Sequence, residues 1–494
     1  MKKILFLLAL SALLPAGAAE IALGKHQVIT SAWGGTMTKT ADGVEIKATQ
    51  IRNMFLGRVR RQLPRELPLW GKSFTYSFRA RGKGKISAFF YTLTSLYREE
   101  TSGRTKDFEL ADDWRDFKVT LRTLRPDILK GYLVLEVNGQ GTFVQLAGEK
   151  LETPDPEDRV IAASPEFVMV PQKGGAEVKF TAPGREKLTA FDGKKQITLQ
   201  GRDGVFTLNA PSDIAPWGKA PKGSVQEGVA KIGVWDEKSG AAKGVYVSRL
   251  SDLEWSVFTD IAKAPQLNRK ISALFLGDSL SDFCRGFNYI DEIAFWINRS
   301  HPGSFTFRNA GVAGFTVKQL YAHLAGQPGA AELHRMKDLW DRKYDYVFIF
   351  LGHNDTVQYY DKTWNPVPHQ QVNVLKEYMP KVMGEIRKHS DAKIVLVTPV
   401  AMDYENCKKF AESRKRKGQG YYLFAMPDNL VPWCTALGEI AEKHAASCVD
   451  LYTPTVMLPE KHKVFTAIDG VHLMPRGQHL IAEKLLRFLA SQPR

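Results

Sequence analysis

Along the first third of the chain apolar and polar residues largely alternate one for one. SFTYSFRARG, KISAFFYTLTSLY, DFKVTLRTL and YLVLEVNG place β-branched and aromatic residues near the period of a strand with one wet face. This predicts an antiparallel β-sandwich over residues 20–150, resembling a jelly roll. LETPDPEDR (151–159) has two prolines and five charges and reads as a linker. The strand-rich block over 160–252, with FVMVP, AEVKFTAPG, KQITLQGRDGVFTLNAP and KGVYVSRLS, has the size of a small immunoglobulin-like sandwich.

From about residue 255 the periodicity changes. ISALFLGD is continuously apolar, and helical stretches (FNYIDEIAFWI, TVKQLYAHL, AAELHRMKDLW, VLKEYMPKVMGEIRKH, VPWCTALGEIAEKH, GQHLIAEKLLRFLA) separate further strands SFTFRN, YDYVFIFLG, KIVLVTP and CVDLY. Val372, Leu375, Met379, Val382 and Ile386 recur at steps of three and four, one helical face that Pro380 leaves free. Strands and helices in alternation, with strands apolar on both faces, predict a parallel sheet covered on both sides over 255–494. In such sheets ligands bind beyond the carboxyl ends of the strands.

The strand ends carry the chemistry. Ser279 follows the first strand in LFLGDSLSDF, a position that also suits a helix cap or turn. Gly311 and Gly314 lie beyond the second strand in RNAGVAGFT, and Asn354 beyond the third in FLGHNDT. Asp469 and His472 precede the last helix in AIDGVHLMPRG. A hydroxyl, an imidazole to take its proton and a carboxylate to hold that imidazole are what acyl transfer needs. The Ser279 N–H, the Gly314 N–H and the Asn354 side chain are candidate donors to an oxyanion.

In order and spacing these stretches resemble the SGNH (GDSL-type) hydrolase family over roughly residues 270–490. GDSLSD corresponds to its first block with nucleophile Ser279, and NAGVAGFT to its second with Gly314. GHND corresponds to the third with Asn354, and DGVH supplies Asp469 and His472. The resemblance implies a flavodoxin-like three-layer α/β fold and hydrolysis of esters or thioesters with no cofactor and no metal. His353 in GHND also looks like the histidine of carbohydrate acetylesterases, making it a candidate substrate contact beside a packing role. Asp278 and Asp355 read as turn organisers. The rate is expected to fall below about pH 6 as the base protonates.

Targeting and charge narrow the partners. Lys2 and Lys3, the apolar run ILFLLALSALL and the small residues of PAGAAE have the layout of a signal peptide over 1–19, too short to span a bilayer. An exported protein is expected, with no membrane span. Lys+Arg exceed Asp+Glu by 68 to 53, a formal charge of +15, which favours anionic partners. The basic clusters RVRR, RARGKGK and SRKRKG accompany no nucleic-acid motif. Export permits disulfides, and among four cysteines Cys407–Cys434 is the pairing to test first.

Residues 401–429 leave a strand's carboxyl end and should overhang the cleft. They carry Lys408, Lys409 and Arg414–Lys417 with Tyr421, Tyr422 and Phe424, of which Tyr421 and Tyr422 are candidate substrate contacts. The first β-sandwich resembles a carbohydrate-binding jelly roll in architecture. Together with it, these features indicate an esterase removing small acyl groups, acetyl first, from a polysaccharide or glycoprotein glycan, with an acylated carbohydrate as partner, an acidic one being a candidate. Two other readings stand: a lipid-directed acylhydrolase of the same fold, and a glycan-binding surface protein without activity.

Overall fold

The computed structural model describes residues 20–493 except 22, 29–35, 42, 52–53, 64–72, 95–98, 103–104, 106, 123–127, 153–160, 215–221, 226, 237–241, 329–335, 362 and 368–370. The expected signal peptide, nearly all of the linker and most of the expected helix AAELHRMKDLW lie outside the described residues.

Two long antiparallel strands, Ser73–Thr94 and Ile128–Glu152, form the spine of the first β-sandwich. Their pairing shifts register between Asn138 and Phe143 and again between Ala147 and Lys150. Such irregularities bend strands and increase their twist. Phe74, Tyr76, Phe78, Ala80, Ile86, Ala88 and Phe90, all at even positions, fill one core. Part of the basic character is consumed internally. Arg58 pairs with Glu136, and Arg61 lies 3.3 Å from Glu149.

The second unit is a sandwich of a three-stranded sheet (Ala162–Ser164, Gly175–Thr181, Val205–Pro211) on a five-stranded one (Phe167–Val170, Ala242–Arg249, Val229–Trp235, Lys187–Phe191, Gln196–Gln200). Its strand Phe167–Val170 is buried at all four positions. Val168 and Val170 point into the sandwich, while Phe167 and Met169 join the core of the domain that follows. That explains the unbroken FVMV run: this strand is covered on both faces. The Tyr246 ring lies 4.6 Å from that of Phe287, and Phe167 lies 6.2 Å from Phe295.

The C-terminal domain is a five-stranded parallel sheet of β1 (Ile271–Gly277), β2 (Phe305–Asn309), β3 (Tyr346–Phe350), β4 (Lys393–Val397) and β5 (Ser447–Val449), in the order β2-β1-β3-β4-β5. Nine α-helices belong to it among the described residues: α1 (Asp252–Ala262), α2 (Ser279–Asp282), α3 (Tyr289–Ser300), α4 (Val317–Leu324), α5 (Gln371–His389), α6 (Tyr404–Arg416), α7 (Pro427–Lys443), α8 (Tyr452–Val456) and α9 (Pro475–Ser491). Side chains on a strand alternate between faces. Ala273, Phe275, Phe348 and Phe350 therefore meet α3 and α9, while Leu274, Leu276, Val347 and Ile349 meet α4, α5 and α7. The chain enters α1 through a capping box, with Ser251 accepting from the Glu254 N–H and the Glu254 carboxylate accepting from the Ser251 N–H.

Cys407 and Cys434 are both free thiols. Cys407 is buried, its thiol packed where any side chain on Gly470 would fall, so the Cys407–Cys434 pairing is not made. No described helix is long and apolar enough to cross a membrane.

Candidate active site

Three strand ends and the loop before α9 converge. β1 runs straight into α2, with Asp278 capping the new helix by accepting the Leu280 N–H at 3.0 Å. That sharp exit leaves Ser279 at the first helical position, buried to 7% exposure but facing the last loop. Its Oγ lies 3.0 Å from His472 Nε2, and His472 Nδ1 lies 2.6 Å from Asp469 Oδ2. With the Nδ1 proton donated to the carboxylate, Nε2 is free to receive the serine proton.

Asp469 is fixed through its other oxygen. Oδ1 accepts the Val471 N–H at 2.9 Å, the His472 N–H at 3.1 Å and the Thr466 hydroxyl at 2.8 Å. Burial alone would push this carboxyl up. The charge and hydrogen bond of His472, with the Val471 and Thr466 donors, overcome it and hold the pKa at about 2. The Phe283 ring stacks on the imidazole at 4.8 Å and 29°, restricting its swing.

The expected oxyanion donors stand on the neighbouring loops. Gly314 has φ +83°, a backbone that favours glycine, and a Cβ there would meet nothing within 4 Å. Asn354 donates one Nδ2 hydrogen to the Phe315 carbonyl at 3.1 Å, which ties the GHND loop to the Gly314 loop. Behind them, Asp355 Oδ1 accepts the Val317 N–H at 3.0 Å at the start of α4. Asp282 accepts the Ala313 N–H at 2.9 Å and pairs with Arg285, whose guanidinium also donates to the carbonyls of Asn309 and Gly311. Arg285, Phe283 and Thr466 are site residues the sequence reading did not name. The one available signal is the Asp282–Arg285 spacing of three.

Two expected substrate contacts are corrected. His353 is 1% exposed with both ring nitrogens engaged. The Val400 N–H donates to Nε2 at 3.2 Å, so Nδ1 carries the proton and donates to Asp278 at 2.7 Å. It is a brace between the ends of β1, β3 and β4, with no face for substrate. Tyr421 packs against Tyr360 at 4.3 Å and Trp364 at 5.4 Å and does not line the cleft. Its neighbour Tyr422 points the other way. It belongs to a two-stranded ribbon, Gln358–Tyr359 with Tyr422–Leu423, and of residues 401–429 it is Tyr422 and Phe424 that line a cavity wall.

The ribbon closes one side of a cavity of about 630 Å³ lined by Gly314, Thr316, Lys318, Asn354, Tyr359, Tyr422 and Phe424 among others. The Arg414 guanidinium lies 4.6 Å from the Tyr422 ring centroid. No described group of three or more His, Cys, Asp or Glu is arranged to hold a metal ion.

A hydroxyl–imidazole–carboxylate relay at the carboxyl edge of a parallel sheet is the arrangement of an acyl-transferring hydrolase domain. Residues 274–485 match the model of the GDSL-like lipase/acylhydrolase family, and this domain belongs to that family of ester-hydrolysing enzymes. Among solved structures, the lipase/acylhydrolase from Enterococcus faecalis is similar, 20% identical over 45% of this chain and 98% of its own with a TM-score of 0.32. The CBM22-1 xylan-binding domain from Paenibacillus barcinonensis is 6% identical over 28% of this chain and 95% of its own, with a TM-score of 0.22. No curated protein matches the chain.

Proposed function

We propose that the protein is an exported serine esterase that removes small acyl groups, acetyl first, from a carbohydrate. The observation carrying this reading is the relay Ser279–His472–Asp469, at 3.0 and 2.6 Å. Ser279 Oγ attacks the ester carbonyl carbon while its proton passes to His472 Nε2. The carbonyl oxygen, now anionic, takes hydrogen bonds from the backbone N–H groups of Ser279 and Gly314 and from the Asn354 amide. Collapse breaks the ester C–O bond, and the imidazolium returns the proton to the departing sugar hydroxyl. Water then attacks the acyl-enzyme, His472 takes its proton, and the free acid leaves with Ser279 restored.

The cavity walls support a sugar and favour one of acidic character. Tyr359, Tyr422 and Phe424 offer aromatic faces, Thr316 and Gln319 offer polar groups, and Lys318 is the charged residue of the wall. Arg414 adds positive charge behind Tyr422, and Lys408, Lys409 and Lys415–Lys417 lie exposed on and just beyond α6. Acetate release from a panel of acetylated glycans, compared with aryl esters of increasing chain length, tests the reading. Release from acidic acetylated glycans is expected. A preference for chains beyond about eight carbons, which an apolar groove would produce, turns the assignment to lipid.

A further inference from the structure

The loop Thr466–His472 carries both the acid and the base, and part of what holds it comes from outside the hydrolase domain. Within the loop, the Thr466 N–H donates to the His472 carbonyl and the Gly470 N–H to the Thr466 carbonyl, both at 2.8 Å. From the overhanging insertion, the Asp403 N–H donates to the Gly470 carbonyl at 2.8 Å. On a further side stands the second sandwich, whose Gly223 carbonyl accepts the Ala467 N–H at 3.0 Å, two residues before Asp469.

This approach is built rather than incidental. Gly223 has φ +74°, and a Cβ there would lie 2.7 Å from the Ala467 Cβ, so backbone and spacing both require glycine. The Gly223 N–H is held in turn by the Glu227 carboxylate. Val225 and Ser224 are buried, and Val225 shares one continuous core with Phe465, Val471 and Leu473, which flank the acid and base.

We propose that the loop Lys222–Val225 of the second sandwich is a positioning element for the Asp469–His472 pair, so that the sandwich is part of the catalytic apparatus. The proposal rests on the esterase reading for its kinetic test and on geometry alone for its spectroscopic one. A shift of about 1 Å in a positioned group can cost on the order of a hundredfold in rate.

The test uses the full chain. Gly223→Val should lower kcat on an aryl acetate by about 10- to 100-fold with KM within about twofold. The equivalent change Gly228→Val, at a residue with φ +86° but an open Cβ position, should leave kcat unchanged. Against an Asp469→Asn background Gly223→Val should cost little more, because groups acting through one another are non-additive. The low-field Nδ1 proton resonance of His472, read by NMR without turnover, should be present in the natural chain and weakened or lost in Gly223→Val. Where that variant unfolds, Gly223→Ala combined with Ala467→Gly should recover activity that Gly223→Ala alone loses. Unchanged kcat and an unchanged proton resonance in folded Gly223→Val would overturn the proposal, as would losses that simply multiply with Asp469→Asn. An inactive natural chain would sink the esterase reading instead, leaving the resonance to decide the positioning role.

Discussion

His353 and Asp278 are joined at 2.7 Å in a place where the two side chains are 1% and 0% exposed. The bond sets the residue before the nucleophile against the residue before Asn354, and the Val400 N–H closes the set from β4. One buried imidazole thus registers the loops that hold hydroxyl and oxyanion donor. His353→Ala leaves Oδ2 of the buried Asp278 carboxylate without its hydrogen bond, and should cost about 3 kcal/mol of stability. Denaturant unfolding measures this. A loss under about 0.5 kcal/mol would mean that water or another donor replaces the ring.

In the proposed mechanism Ser279→Ala removes the atom that bonds covalently to the acyl group. The rate on an aryl acetate should fall about 10⁴- to 10⁶-fold with the fold retained. Labelling by a fluorophosphonate probe should vanish with it. Persistent labelling would place the nucleophile elsewhere.

Asn354→Ala takes away the bond to the Phe315 carbonyl and, in the proposed mechanism, one oxyanion donor. A drop of about 10²- to 10³-fold in kcat is expected, with KM changing little, because the bond to oxygen strengthens only as charge develops. A change confined to KM would make Asn354 a ground-state contact.

The buried Asp355 carboxyl gives a pH signature of stability. Burial raises its pKa to about 7, the Val317 N–H opposes that, and the Asp278 charge adds to it. The unfolded chain loses the same proton near pH 4. Between about pH 4 and 7 the folded state therefore holds a proton that the unfolded state has lost. Stability from this group falls as pH rises through that window and levels off above it. In Asp355→Asn the difference in Tm from the natural chain should grow in the variant's favour from pH 5 to pH 8. A constant difference would show that the group ionises as it does in water.

Much of the site was legible because its motifs stand where strands end. Ser279, Asn354, Asp469 and His472 each follow or precede an element whose periodicity is plain, and a parallel sheet sends such ends to one edge. Phe283, Arg285 and Thr466 were not legible, since their roles depend on which loop folds over which. His353 misled for the same reason: an imidazole beside a catalytic amide looks like a contact until Asp278 and Val400 are seen to occupy both nitrogens. Tyr421 and Tyr422 could not be told apart because a two-residue strand is too short to show parity. The union of the second sandwich with the hydrolase was written in FVMV, whose absence of alternation requires cover on two faces. Read within a block of ordinary alternating strands, it resembled one more sandwich strand.

That doubly covered strand decides how the chain comes apart on heating. Phe167 and Met169 cannot leave the hydrolase side without dragging Val168 and Val170 from the other. Residues from Ile161 onward should accordingly melt in one cooperative event. The first sandwich, with a core of its own, should give a second calorimetric peak, so the seam in thermal behaviour falls after Glu152 and not at the start of the hydrolase.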